Sequence, residues 1–133
     1  MNIEEVKETF ELMDEWEDRY RFIIDLGRNL PDFDESDQTE ENRVHGCTSK
    51  VWLVYDKKGE KIVFKGDSDA HIVRGLVSII LMIFSHKTPK EILDTDAKSI
   101  LTDLGLSQHL SPMRTNGLFS MVERIKAIGE SFR

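Results

Sequence analysis

From Ile72 to Phe84 the chain is apolar almost without a break, and this stretch constrains the fold more than any other. It is too short to cross a bilayer, which takes about 20 residues, and Arg74 and Gly75 interrupt it. From Val77 to Phe84 a helix would be apolar nearly all round, with Ser78 the one polar side chain. A helix over about Ala70 to Ser85 is therefore expected as the buried centrepiece of the fold. Asp67, Ser68 and Asp69 precede it and read as its N-cap candidates.

The rest of the chain supplies what must cover that helix. Ile3, Val6, Phe10 and Met13 recur at helical spacing, as do Trp16, Tyr20, Ile23 or Ile24 and Gly27, which predicts one or two amphipathic helices over residues 3 to 29. Asp14 with Glu17 resembles a capping box and places a break near Asp14. After Leu30-Pro31-Asp32, the acidic run to Asn42 has too little apolar content to be anything but a solvated connector. Val51 to Tyr55 and Lys61 to Phe64 are β-branched and aromatic, and Asp56 to Glu60 between them carries a hairpin turn signal. Arg43 and Val44 are candidates for a short third strand. Thr88-Pro89-Lys90-Glu91 signals a short capped helix to Leu93, Ala97 to Leu104 predicts another ending at Gly105, and Leu118, Met121 or Val122, Ile125 and Ile128 predict a last one. A small antiparallel sheet packed against helices gives an α+β fold, and residues 1–133 read as one domain.

Charge narrows the partners. The formal net charge is −7, and it is uneven: residues 1–45 carry 15 acids and 5 bases, the remainder 10 and 13. A chain this acidic, with no basic stripe, is a poor match for nucleic acid or an anionic membrane, so a protein or small molecule is the expected partner. The start of the chain has no basic region followed by an apolar one, and a cytoplasmic location is expected.

Cys47 is the sole cysteine, and it lies in the polar link Val44-His45-Gly46-Cys47-Thr48-Ser49-Lys50-Val51-Trp52. A structural thiol normally sits within an apolar periodic run; this one follows a glycine and precedes two hydroxyl residues, as a displayed group would. One thiol cannot close an internal disulfide, nor cage zinc or an iron-sulfur cluster, which need about four ligands. A nucleophile, a sulfur carrier or an inert residue remains. A cysteine-hydrolase reading would rest on His45 alone, and adjacency in sequence is not how such dyads are built. Asp67 and Asp69 lack the other ligands of a calcium loop, and His71, His86 and His109 are too dispersed for a metal site. Nothing matches a nucleotide-binding motif, and no cofactor is expected on this chain. Arg114, in a polar turn after Ser111-Pro112, either places a fixed positive charge near a thiolate or is an exposed loop arginine.

Four segments, in order and at matched spacing, carry a resemblance over nearly the whole chain. They are Trp16 to Tyr20 with Ile23 to Gly27; Val44 to Trp52; Gly66 to Ala70 with Val73 to Leu76; and Leu104 to Leu106 with His109 to Arg114 and Gly117-Leu118. Together they resemble the SufE-like sulfur acceptors of iron-sulfur cluster assembly. The resemblance implies the SufE and iron-sulfur-scaffold (NifU-like) fold, with a single acceptor cysteine matched by Cys47. It implies that Cys47 takes a persulfide sulfur from a pyridoxal-phosphate-dependent cysteine desulfurase of the SufS or CsdA type, stimulates that enzyme, and delivers sulfur to a scaffold complex of the SufBCD type. The chain would then be a sulfurtransferase-type carrier rather than a stand-alone enzyme. Gly46, Ser49 and Arg114 are the residues expected to support the loop or the thiolate, and Asp67 and Asp69 those expected to meet the desulfurase. A non-covalent adaptor that activates a desulfurase without carrying sulfur is the alternative.

Overall fold

Residues 1–46 and 49–133 are described by the computed structural model. The first amphipathic pattern forms two helices, α1 (Ile3–Glu11) and α2 (Trp16–Arg28), and the expected break separates them. The capping box expected at Asp14 is not made: Glu15 is the N-cap of α2, without a side-chain bond. Arg19 seals the break instead, donating to the Met13 and Phe10 carbonyls at 3.0 Å each. Its guanidinium also lies over the Phe10 and Trp16 rings, so one cation closes the end of α1 and packs the corner. The acidic connector holds only one short 3-10 turn, Glu35–Asp37.

The hairpin is longer than the apolar runs implied. Strands β1 (Val51–Lys58) and β2 (Lys61–Ser68) pair antiparallel from Val51 opposite Ser68 to Lys58 opposite Lys61. The turn is therefore Gly59-Glu60 alone. Gly59 has φ +64°, and Glu60 keeps a negative φ, the pattern of a type II′ turn. Asp56 to Lys58 are strand residues because backbone pairing continues past the point where side-chain burial stops. The third strand shrinks to one bridge, Arg43 with Trp52.

The centrepiece helix is α3 (His71–Phe84), with all but four of its residues buried. Its N-cap is Ala70, without a side-chain bond, so Asp67, Ser68 and Asp69 do not cap it. Asp67 and Ser68 are still in β2 and are spent on pairing. Downstream, α4 (Pro89–Asp94) makes the predicted capping box, with Thr88 Oγ1 accepting the Glu91 amide and Glu91 Oε1 accepting the Thr88 amide. Helix α5 (Ala97–Asp103) stops before Gly105, a short helix α6 (Leu106–His109) follows, and α7 runs over Pro112–Ser131. The last helix thus begins six residues earlier than its apolar pattern, because Ser111 caps it and Pro112 opens it. Arg114 lies in its first turn and not in a loop.

One continuous apolar core runs from Val6 to Ile125, with Ile79, Ile80 and Phe84 of α3 fully enclosed. The sheet lays Ile62, Phe64 and Gly66 of β2 on α3, so closely that a β-carbon at Gly66 would meet Val77 Cγ1 at 2.8 Å. On the other side α2 crosses α3 at Gly27 and Gly75. A β-carbon on Gly27 would stand 2.7 Å from the Gly75 amide nitrogen, and one on Gly75 would collide with the Ile23 carbonyl. Among the described residues, no helix is long and apolar enough to cross a membrane.

Candidate functional site

The link that carries Cys47 leaves the acidic connector and enters β1. Cys47 and Thr48 themselves lie outside the described residues, so the site is defined by how the chain is held on either side of them.

The approach arm is residues 41 to 46. The Val44 amide donates to the Val51 carbonyl at 2.8 Å, and the Leu53 amide to the Asn42 carbonyl at 2.9 Å, so the arm lies along the outer edge of β1. Its opposite edge faces α7, where Arg124 donates to the Glu41 carbonyl at 3.0 Å and the Arg43 carbonyl at 3.4 Å. His45 Nε2 lies 3.0 Å from Glu40 Oε1, so the acidic connector engages its ring. Gly46 has φ +109°, a region that side chains rarely enter, and a β-carbon there would collide with Ser120 Oγ. Both conditions restrict this position to glycine.

The exit arm is Ser49 and Lys50. Lys50 exchanges backbone bonds with the end of β2: its amide donates to Asp69 Oδ1 at 3.0 Å, and its carbonyl accepts from the Asp69 amide at 3.2 Å. Ser68 is buried, and its hydroxyl donates to the Lys50 carbonyl at 2.7 Å while accepting from the Ala70 amide at 3.3 Å. Asp67 stands behind these residues. Its Oδ1 accepts the Ser68 amide at 2.8 Å and lies 2.9 Å from Arg74 Nε of α3, and Gln38 reaches its Oδ2 at 3.4 Å. The Arg74 Nε–H is not aimed along that contact, so the pair is held by charge rather than by an aligned hydrogen bond.

The strand-to-helix corner therefore does meet the Cys47 link, as the compact hairpin demands. Asp67, with 18% of its side chain exposed, is committed to Arg74, whereas Asp69 is exposed at the surface. Arg114 is exposed in the first turn of α7 and lines a cavity of about 340 Å³ with Tyr20, Ile72, His109 and Leu110. Gly46 meets α7 at Ser120, roughly 120° around the helix from Arg114 at 100° per residue, so the two approach this helix from different faces. No group of three or more metal-binding side chains occurs among the described residues.

Sequence reasoning read Ser68 as a cap rather than an anchor of the link, and missed Ser120 and Arg124. A signal for the last two exists: with Asn116 they form a polar stripe at i, i+4, i+8 on a helix whose other stripe is apolar.

Comparison with known proteins places the chain in context. Residues 4–128 match the family SufE, described as the Fe-S metabolism associated domain. A SufE-like protein of Rhizobium meliloti is 50% identical, with 97% of this chain and 95% of that protein covered. Another, of Rhizobium etli, is 47% identical, over 94% of this chain and 87% of the relative. The solution structure of a hypothetical protein from Thermus thermophilus superposes with a TM-score of 0.77 over 97% of this chain and 93% of that one; at 19% identity the likeness is one of fold.

Proposed function

We propose a function from one premise: the chain belongs to the SufE family of Fe-S metabolism associated domains, which it matches over residues 4–128. On that premise residues 1–133 act as one cytoplasmic sulfur-acceptor domain. Cys47 takes sulfur from the persulfide of a pyridoxal-phosphate-dependent cysteine desulfurase and passes it to an iron-sulfur scaffold complex. The Cys47 thiolate attacks the outer sulfur of the donor persulfide. That sulfur–sulfur bond breaks, the donor cysteine leaves as a thiolate, and Cys47 becomes the persulfide; no electrons are gained or lost overall.

The observation that carries this reading is the placement of the sole cysteine between two anchored arms. Gly46 is held against α7 and Lys50 is latched to Ser68 and Asp69, with only Cys47, Thr48 and Ser49 between them. A thiol that must meet a sulfur donor and then an acceptor needs a short link with fixed ends, so that it moves without losing register. Gly46 gives the link its positive-φ turn and Ser49 supports it, while Arg114, on another face of α7 from Ser120, is the cation that would favour the thiolate. Asp69 is the better docking residue of the acidic pair, because Asp67 is neutralised by Arg74. Charges flanking a reactive loop set encounter and register.

The test is mass spectrometry after incubation with desulfurase and cysteine. Native protein gains about 32 Da, one sulfur, on Cys47, and Cys47→Ser gains nothing because a hydroxyl forms no persulfide. Desulfurase stimulation by the Ser variant equal to that of native protein would sink the carrier reading and leave the non-covalent adaptor.

A further inference from the structure

The approach arm has two backbone edges, and they are held differently. Residues 42 and 44 turn their backbone groups to β1, while the carbonyls of Glu41 and Arg43 turn the other way and both end on Arg124. Asn116, Ser120 and Arg124 share one face of α7 at four-residue spacing. Gly46 closes on Ser120, one helical turn toward the N-terminus from Arg124. The arm thus runs along this stripe toward the start of α7 and delivers the chain to Cys47 in a set direction.

We propose that Arg124 is a positioning residue for Cys47: the fork of its guanidinium, shared between two carbonyls of the approach arm, fixes the path along which the link presents its thiol. The functional consequence rests on the carrier reading above, but the geometry does not. Arg124 is half-buried and spans both carbonyls with separate nitrogens of one rigid plane. A lysine would bring the same charge on one rotatable nitrogen, which can bond two carbonyls, as Lys126 does for Leu93 and Thr95, but it lacks the rigid plane that fixes their directions. Without the fork the arm loses its outer edge, and its two bonds to β1, Val44 to Val51 and Leu53 to Asn42, open more often. Residues 44 to 46 then swing more widely, and the approach to Cys47 loses its set direction.

Arg124→Met and Arg124→Lys test this in the full chain. Three quantities are read in each folded variant: alkylation of Cys47 by iodoacetamide, amide exchange at Val44 to Gly46, and sulfur transfer from desulfurase split into kcat and KM. Both variants are expected to alkylate and exchange roughly threefold to tenfold faster, the range that loss of charge-assisted hydrogen bonds supplies. Transfer loses kcat with KM little changed, because docking is intact and presentation is not. A residue that merely supports the fold would lower the thermal midpoint and leave alkylation at 25 °C as it was. Arg124→Lys keeps the test open if the Met variant does not fold. Anything short of faster alkylation and exchange in the folded Lys variant overturns the proposal, and so does full recovery by lysine. Both readouts run without desulfurase, so failure of the native protein to take up sulfur counts against the carrier reading and not against this one.

Discussion

Two of the places in this molecule that need a glycine need it for opposite reasons. At the α2–α3 crossing Gly75 has an ordinary helical backbone, but a β-carbon would strike the Ile23 carbonyl, so the two helices touch through bare backbone. At the Cys47 link Gly46 sits at φ +109°, and the atom a side chain would meet is the movable hydroxyl of Ser120. The crossing is held by shape among fully buried neighbours. The link is held by a few hydrogen bonds from Arg124, Ser68 and Asp69, each of which can be lost singly. On the proposed carrier role, a thiol that meets a donor and then an acceptor belongs on the second kind of scaffold, and the first kind keeps the hairpin and α7 in place.

The largest effect should come from breaking the crossing. Gly75→Ala must push α2 off α3 or bend one of them, at a cost of about 3 kcal/mol or more, since backbone offers no rotamer to move. Urea denaturation measures it. A loss under about 1 kcal/mol would show that the crossing yields as easily as the link, since overpacking of a rigid contact should exceed that.

A smaller effect is expected at the exit arm. Asp69→Arg removes the bond to the Lys50 amide and should lower stability by about 1 kcal/mol or less at so exposed a position, while weakening desulfurase binding roughly tenfold. Asp69→Asn keeps an oxygen acceptor for Lys50 without the charge, so it separates docking from anchoring. The measurement is a desulfurase titration beside alkylation of Cys47 in each variant. Unchanged affinity and unchanged alkylation in Asp69→Arg would place docking elsewhere and leave the exit arm indifferent to this latch.

The smallest effect lies outside both regions, in the capping box of α4, and serves as the control. The Thr88 amide, and then its hydroxyl, hold the Glu91 carboxyl below its ordinary value of 4.5. A carboxyl depressed in the folded state stabilises above its unfolded pKa, and the contribution is lost as pH falls through the lower folded value. Glu91→Gln, which removes the titrating carboxyl, should therefore flatten the acid-side fall of stability below about pH 4.5 and leave Cys47 alkylation untouched. Equal acid sensitivity in both proteins would refute the assignment. A change in alkylation would mean that the link responds to distant stability rather than to its own anchors.

What was legible in the sequence was whatever depends on local pattern. The nearly unbroken apolar run from Val77 to Phe84 reads as a buried helix, the Thr88-Pro89-Lys90-Glu91 signal starts one, and Gly105 ends α5, though it also opens α6, which no local pattern announced. Cys47 stood out for the same local reason, a thiol outside any apolar run. The expectations that needed correction were those in which a side chain has more than one available partner. Asp14, Asp67, Ser68 and Asp69 all look like caps, because short polar side chains bond nearby amides wherever a helix begins. Only the fold shows that Arg19 closes the α1–α2 break and that Ser68 and Asp69 are taken by Lys50.

The sequence alone thus determined the α+β class, the central helix, and the one cysteine on which the proposed sulfur transfer rests. Tertiary structure decided what holds that residue's neighbours, because each anchor joins positions far apart in the chain. Arg124 meets Glu41 across more than 80 residues, and Ser68 meets Lys50 across 18. Hydrophobic periodicity is written along a chain and can be read there, whereas a hydrogen bond between an arginine and a distant carbonyl leaves no mark on either until packing brings them together.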